Sequence, residues 1–272
     1  MNKSVADVEA FWDANPLFTG EESFTPETAS SFFARHDAAY FDDVFSGIDY
    51  RKVFFLPEAR ESVLDLGCGI GFWSSLFVRE RKVTRLVSGD LSAKSLEICK
   101  LRVPETETRK TNAEATGFDD GTFDFVNCQG VIHHTPATQA CIDEIHRVLK
   151  PGGRASISVY YENRLLKLAG LSLPLVNFLS RLLLKDKGRG RAFHTAASKD
   201  DIVRLYDGSG NPIGKCYSRA AFEAMLRQAG FSAIEIGYFF FPFRFMKVPL
   251  PGFIRKALVR AFPFMIVANV TR

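Results

Sequence analysis

The chain has 272 residues, 46% hydrophobic and 24% charged, with a formal net charge of +4. With a mean hydropathy near zero, this composition excludes a disordered chain and a multi-span membrane protein, and the length suits one large α/β domain with insertions or two small domains. Five cysteines without short paired spacing make a metal site or a disulfide framework unexpected and a reducing, cytoplasmic setting the default.

The opening MNKSVADVEAFWDANP has no apolar stretch before a cleavage site and does not read as a signal peptide. Residues 1–60 are aromatic-rich and helical in parts, and Thr25 before Pro26 and Glu27 predicts a helix start. From residue 61 short apolar runs alternate with amphipathic stretches, the pattern of a parallel sheet with helices on its faces. Strands are predicted at 62–66, 84–89, 106–110, 123–129 and 154–160, and helices at 72–79, 93–101 and 137–149. Pro151-Gly152-Gly153 is expected to stop the last of these helices.

An insertion over about 161–217 interrupts this alternation. Its leucine-rich part is broken by Lys167, Pro174, Asn177 and Arg181, so a transmembrane helix is not expected. A helix at 218–229, stopped by Gly230, and strands at 231–241 and 264–270 close the chain. Residues 164–191 carry seven Lys or Arg against Asp186 alone, and 242–272 carry six against none, so these stretches hold +12 and the remainder −8. Because both are also rich in Leu or Phe, they point to an apolar ligand or a peripheral membrane contact rather than to nucleic acid; solvated faces over an ordinary core are the plain alternative.

The informative segment is Val63-Leu64-Asp65-Leu66-Gly67-Cys68-Gly69-Ile70-Gly71. A buried strand ends there, and three alternate glycines let the backbone turn tightly and approach a ligand at a helix N-terminus. The dinucleotide fingerprint needs glycine at its sixth place, where Phe72 stands, and no Gly-Lys-Ser/Thr follows to make a phosphate loop. Asp90, 23 residues after Gly67, ends the next strand where a ribose diol would lie.

The blocks VLDLGCGIG (63–71), GDLS (89–92), NAEATGFDDGTFDFV (112–126), GVIHHT (130–135) and EIHRVLKPGG (144–153), in this order, resemble the class I S-adenosylmethionine-dependent methyltransferases, in particular the small-molecule group that includes ubiquinone-biosynthesis enzymes. FWDANPL and NPIGKCYS look like segments of other bacterial members and name no substrate. The resemblance implies a Rossmann-like fold with a seven-stranded, mostly parallel sheet, an antiparallel last strand and helices on both faces. It also implies S-adenosylmethionine as cofactor, with residues 1–60 as a helical cap over its site and 61–272 as the core.

By the same resemblance, Asp65 and the backbone of Gly67, Cys68, Gly69 and Gly71 would hold the methionine tail, and Asp90 the ribose. Leu91 would pack on the adenine, Asn112, Ala113 and Glu114 would lie at its edge, and Gln129 would sit beneath the sulfonium end. Relatives usually carry Asp where this chain has Asn112, which predicts weakened recognition there.

His133 and His134 follow the fourth strand, and histidine suits a general base, so His134 is the first candidate and His133 the second. The alternative is that the pair only orders the turn, with one ring bonded to a backbone carbonyl. Phe11, Trp12, Phe18, His36, Tyr40 and Phe41 are candidates for a lid or for simple helix docking, and Tyr161, His194 and Tyr217 for the pocket. The expected reaction is methylation of a small, apolar or aromatic acceptor at oxygen or carbon. A cofactor-binding regulator without activity and an RNA methyltransferase remain as alternatives, although no base-flipping motif is visible.

Overall fold

The protein is described by a computed structural model that covers residues 3–16, 28–167, 174, 178, 181–183, 196–208 and 210–272. Ser62–Leu66, in which Val63, Leu64 and Leu66 are buried, has the composition of a strand covered on both faces, and it forms the central strand β1. Seven more strands follow among the described residues: β2 (Arg85–Asp90), β3 (Glu107–Lys110), β4 (Phe123–Gln129), β5 (Leu149–Tyr161), β6 (Cys216–Tyr217), β7 (Ala233–Phe239) and β8 (Met265–Thr271). Their order is β3-β2-β1-β4-β5-β8-β7, with the two-residue β6 beside the end of β5. Only β8 runs against its neighbours β5 and β7. The expected seven-stranded path is thus present, and β6 is an addition that sequence periodicity gave no sign of.

The helices among the described residues are α1 (Val5–Ala14), α2 (Ala29–Asp43), α3 (Tyr50–Val53), α4 (Phe72–Arg81), α5 (Ala93–Arg102), α6 (Thr138–Val148), α7 (Lys199–Tyr206), α8 (Arg219–Gln228) and α9 (Gly252–Ala261). The helix start expected at Thr25 lies outside the described residues; α2 is seen from Ala29, with Thr28 as its N-cap. One expectation needs correction. Helix α6 ends at Val148, and Pro151-Gly152-Gly153 belongs to β5, where it forms a bulge: Phe123 faces Leu149 but Phe125 already faces Arg154. Proline has no N–H for a ladder bond and Gly152 sits at φ 75°, so the segment bends the strand rather than ending the helix.

Alternation along the strands sends Leu64, Leu66, Val126, Ile266 and Ala268 to one face, against Ile142 and Ile145 of α6 and Phe222 and Leu226 of α8. Val63, Phe125 and Val267 point to the other face, against Trp73, Leu76 and Phe77 of α4 and Tyr206 of α7. Residues from the chain's beginning complete this second face: Phe54 packs on Trp73 at 5.2 Å and on Phe239 at 4.8 Å. Asn269 of β8 fastens them, its Oδ1 accepting from Phe55 N at 2.8 Å and its Nδ2 donating to Val53 O at 2.9 Å. Residues 44–56 are therefore part of the main core.

Candidate active site

The glycine-rich turn leaves β1 under two steric constraints. Gly67 has φ 72°, and a Cβ there would lie 2.2 Å from Val131 Cγ2; Gly71, the N-cap of α4 at φ 81°, would meet Cys99 Sγ at 2.7 Å. Three amides tie the turn to the end of β2: Gly67 N and Cys68 N donate to Gly89 O, and Gly69 N donates to Asp90 Oδ2 at 2.8 Å. Gly71 brings no side chain to cap α4, whose first N–H groups have no intrahelical acceptor. Such a turn presents a positive helix end to the space in front of the sheet.

That space is a cavity of about 250 Å³. Gly67, Cys68, Gly69, Asp90, Leu91, Asn112, Ala113 and Gln129 line one half, as the sequence predicts. Asp90 is held by Gly69 N and by Ser92 N at 2.9 Å, and burial raises its pKa against the pull of these amides. Asn112 uses its side-chain oxygen on Glu114 N at 3.0 Å.

Asp65, Gly71 and Glu114 are not in the cavity wall, and the structure gives them other work. Glu114 accepts from Ala137 N at the start of α6, at 2.7 Å. Asp65 is 2% exposed and accepts from Ser74 Oγ at 2.6 Å and from Asn127 Nδ2 at 2.8 Å. Burial pushes its pKa up to about 6, with Ser74 and Asn127 opposing. Its effect reaches the cavity through a relay: Asn127 Oδ1 accepts from Gln129 Nε2 at 3.0 Å, and Ser156 O accepts from the same nitrogen at 2.9 Å. With its NH₂ group committed inward, Gln129 keeps a buried Oε1 that has no hydrogen-bond partner.

The other half of the cavity is aromatic, walled by Tyr40, Phe45, Phe54, Phe72, Trp73, Tyr160, Tyr206, Phe239, Phe240 and Met265. Trp12, His36 and Tyr40 of the expected lid set line it, whereas Phe11 packs on Trp12, Phe41 lies in the core and Phe18 is outside the described residues. Among the described tail aromatics Phe239 and Phe240 line the cavity, and Phe253 is 74% exposed. Tyr217 bonds Thr138 and Tyr161 packs on Tyr238, away from the pocket, and His194 is outside the described residues.

His133 and His134 sit in a short 3₁₀ turn where the two halves meet, and their rings differ in role. His134 Nδ1 faces Ile213 O at 2.7 Å and Nε2 faces Asp207 Oδ2 at 3.2 Å, and that same oxygen accepts from Tyr160 OH at 2.7 Å. Both nitrogens of His134 are therefore engaged, one on a backbone carbonyl. His133 is 1% exposed with neither nitrogen partnered, and burial, followed by the proximity of His134 and Lys215, holds its pKa well below the ordinary histidine value. It keeps its lone pair at neutral pH, and Tyr160 packs on it at 4.2 Å. Sequence reasoning missed Asp207, Tyr160 and Tyr206, since nothing local marks a residue after α7 as a partner of one after β4.

Residues 64–157 match a family model described as a methyltransferase domain. The chain is 36% identical over 111 residues to a ubiquinone biosynthesis O-methyltransferase of Dechloromonas aromatica, covering 39% of this chain and 47% of that one. It is 38% identical over 100 residues to a demethylmenaquinone methyltransferase of Lactococcus lactis, covering 34% and 39%. The chain thus spans less than half the length of these relatives. In structure it is similar to a methyltransferase of Thermotoga maritima described as a possible histamine N-methyltransferase, with a TM-score of 0.57 at 15% identity over 97% of this chain and 99% of that one. It is equally similar to a [4+2]-cyclase, with a TM-score of 0.56 at 13% identity over 100% and 97%, so the fold by itself does not fix the reaction. Matched domain, sheet order and glycine turn fall together: residues 64–157 match a methyltransferase domain, and the sheet around them has the fold of these solved structures.

Proposed function

We propose that this chain transfers a methyl group from S-adenosylmethionine to oxygen or carbon of a small aromatic or apolar acceptor. The observation that carries the reading is the continuity of one cavity from Gly69 and Asp90 to an aromatic chamber, with His133 at the junction. The residues present fit the cofactor: Asp90 offers carboxylate oxygens to a diol, and the orphaned Gln129 Oε1 offers an acceptor to an ammonium group. When bound, S-adenosylmethionine supplies an activated methyl group on a sulfonium. The aromatic walls orient a flat acceptor and exclude water, and His133 takes the proton that the acceptor releases. His134, held by Ile213 O and Asp207, fixes the turn on which His133 stands. Of residues 1–60, helices α1 and α2 act as the cap, while residues 44–56 belong to the core that they cover.

Calorimetry with S-adenosylhomocysteine, then incubation of labelled methyl donor with phenols and with apolar extracts, tests the reading. Binding with labelled product is expected; binding without any product would leave a cofactor-binding regulator, and no binding would remove the proposal.

A peripheral membrane contact accords with the basic C-terminal stretch. Val248 is 65% and Phe253 74% exposed, Lys247 donates to the carbonyls of Arg181 and Leu182, and Leu182 and Leu183 are exposed beside them. Apolar side chains ringed by cations suit an anionic bilayer surface. Co-sedimentation with anionic vesicles at low salt is expected, and its absence would end this part of the reading. No helix among the described residues is long and apolar enough to cross a membrane.

A further inference from the structure

His133 is the proton acceptor in the reading above, yet no hydrogen bond orients it: it is 1% exposed, and neither ring nitrogen has a partner. Packing must then set its rotation. Two rings pack on it, Tyr160 of β5 and His134, each with its centroid 4.2 Å away, and these two lie 5.7 Å from each other. The side of this triangle that leaves His133 out is closed by one atom. Asp207 Oδ2 accepts from Tyr160 OH at 2.7 Å and faces His134 Nε2 at 3.2 Å.

Asp207 is itself anchored. It is 6% exposed and caps the C-terminus of α7, and the chain after it returns to the histidine turn. Ile213 O faces His134 Nδ1 at 2.7 Å, Asn211 Oδ1 accepts from Ile213 N at 3.3 Å, and Lys215 N donates to His133 O at 3.2 Å. Gly214 passes so close to α7 that a Cβ there would lie 2.5 Å from Arg204 Cα. These residues belong to the NPIGKCYS block, and the bonds give that block its work, which is to grip the turn. The grip falls on the backbone and on His134, whereas the hydrogen bond of the Tyr160 phenol goes to Asp207. A buried hydroxyl donor needs an acceptor, and a carboxylate makes the stronger bond.

We propose that Asp207 is the positioning residue of the aromatic chamber: by gathering the Tyr160 hydroxyl and His134 Nε2 onto one oxygen, it fixes the two rings that pack on His133 and thereby the orientation of His133 itself. The proposal rests on the reading of His133 as proton acceptor and deepens it. Asp207 acts through Tyr160 and His134 in this role, and the alignment of reacting groups is sensitive to such placement. What the role requires at position 207 is an oxygen acceptor rather than a charge, so an amide can fill it and a methyl group cannot.

The histidine rings report on this without turnover. With five histidines in the chain, the ring ¹³Cε1–¹H signals can be assigned by substitution, and the order parameter of His133 is read in the full chain, free and with S-adenosylhomocysteine. In wild type it should be that of a rigid group, about 0.85, and in Asp207→Ala it should fall below about 0.6. Tyr160→Phe, which removes one oxygen and keeps the ring, should produce most of the same fall. Asp207→Asn, which keeps an oxygen for the phenol, should stay at the wild-type value. Amide shifts of β1 and β4 that match wild type show that a variant keeps the fold; should Asp207→Ala fold poorly, Tyr160→Phe and Asp207→Asn decide the matter between them. An order parameter that is the same in wild type, Asp207→Ala and Tyr160→Phe, or that falls as far in Asp207→Asn as in Asp207→Ala, would overturn this inference alone. A wild type that does not bind S-adenosylhomocysteine would overturn the cofactor reading instead, and the free protein would still decide the role of Asp207.

Discussion

Two adjacent histidines of similar burial are told apart only by their partners. Because both His134 nitrogens face oxygens while both His133 nitrogens are unpartnered, the proposed proton acceptor is placed at His133 rather than at His134. His133→Asn should lower kcat about a hundredfold or more with little change in KM, the usual size of a general-base effect. The pH profile separates this from a structural loss. The neutral ring is the active form and its pKa lies below 6.5, so the acid limb of kcat/KM should fall below pH 6.5 in the wild type and vanish in the variant. An acid limb at or above pH 6.5, or one that survives the substitution, would return the role to another group.

At the scale of elements, α1 shows how a short helix is docked on a cofactor site. It is self-sufficient at its start, where Ser4 and Asp7 form a capping box. Its far end is held by polar bonds: Asp13 Oδ1 accepts from Ser92 Oγ at 2.6 Å and from Lys94 N at 3.3 Å, and Glu9 pairs with Lys110 at 2.6 Å. The Ser92 hydroxyl also accepts from Ser95 N as the N-cap of α5, so one side chain joins both helices two residues from Asp90. Trp12 then rests on His134 at 5.4 Å. Asp13→Ala should undock α1: amide exchange over residues 5–14 should quicken by about tenfold or more, and S-adenosylhomocysteine should dissociate faster, with little change in global stability. Stopped-flow dissociation and exchange mass spectrometry check this, and unchanged rates in both would refute the latch. The bond from Ser92 holds Asp13 below its ordinary 3.8, so the latch is present above that pH and is lost as pH falls through the lowered value.

The elements also show what the sequence could disclose. Strands β1, β2 and β4 and the glycine turn were legible because their signals are local: continuous apolar runs, and glycines where φ is positive or a Cβ would collide. The bulge in β5 was misread because Pro-Gly-Gly ends a helix and bends a strand with the same residues, and only pairing with β4 separates the two outcomes. Asp65 is assigned to the cofactor through the family resemblance alone. Its engagement by Ser74 and Asn127 depends on α4 and β4 converging on it, which no spacing reveals. Asp207 and Tyr160 meet His134 from α7's end and β5, and no local pattern announces that meeting.

Taken whole, the molecule closes its aromatic chamber by clamping the two ends of the chain together. Tyr40, Phe45 and Phe54 come from before β1, and Phe239, Phe240 and Met265 from the last strands. Besides Asn269, the clamp consists of Asp42 with Arg255 at 2.9 Å and Asp43 Oδ1 with Arg244 N at 3.2 Å. Asp43 is 8% exposed, and burial raises its pKa to about 6 although Arg244 and Arg255 pull it down; Asp65 beneath the glycine turn is raised to about 6 as well. A carboxyl whose pKa is higher folded than unfolded keeps its proton longer in the native state. Between the unfolded value of 3.8 and about 6 these two carboxyls therefore bind more protons in the native state, and their contribution to unfolding free energy falls as pH rises through that window. Above it the loss is complete and this contribution is flat. The buried histidines, whose pKa is lowered, contribute a slope of the opposite sign below pH 6.5, so the share of Asp43 is read as a difference. In urea midpoints taken in steps from pH 4 to pH 7, wild type should lose stability relative to Asp43→Asn up to about pH 6, and the difference should then level. A difference that stays constant or moves the other way across the window would mean that Asp43 is ionised in the clamp and that the arginines, rather than burial, govern how the chamber is held shut.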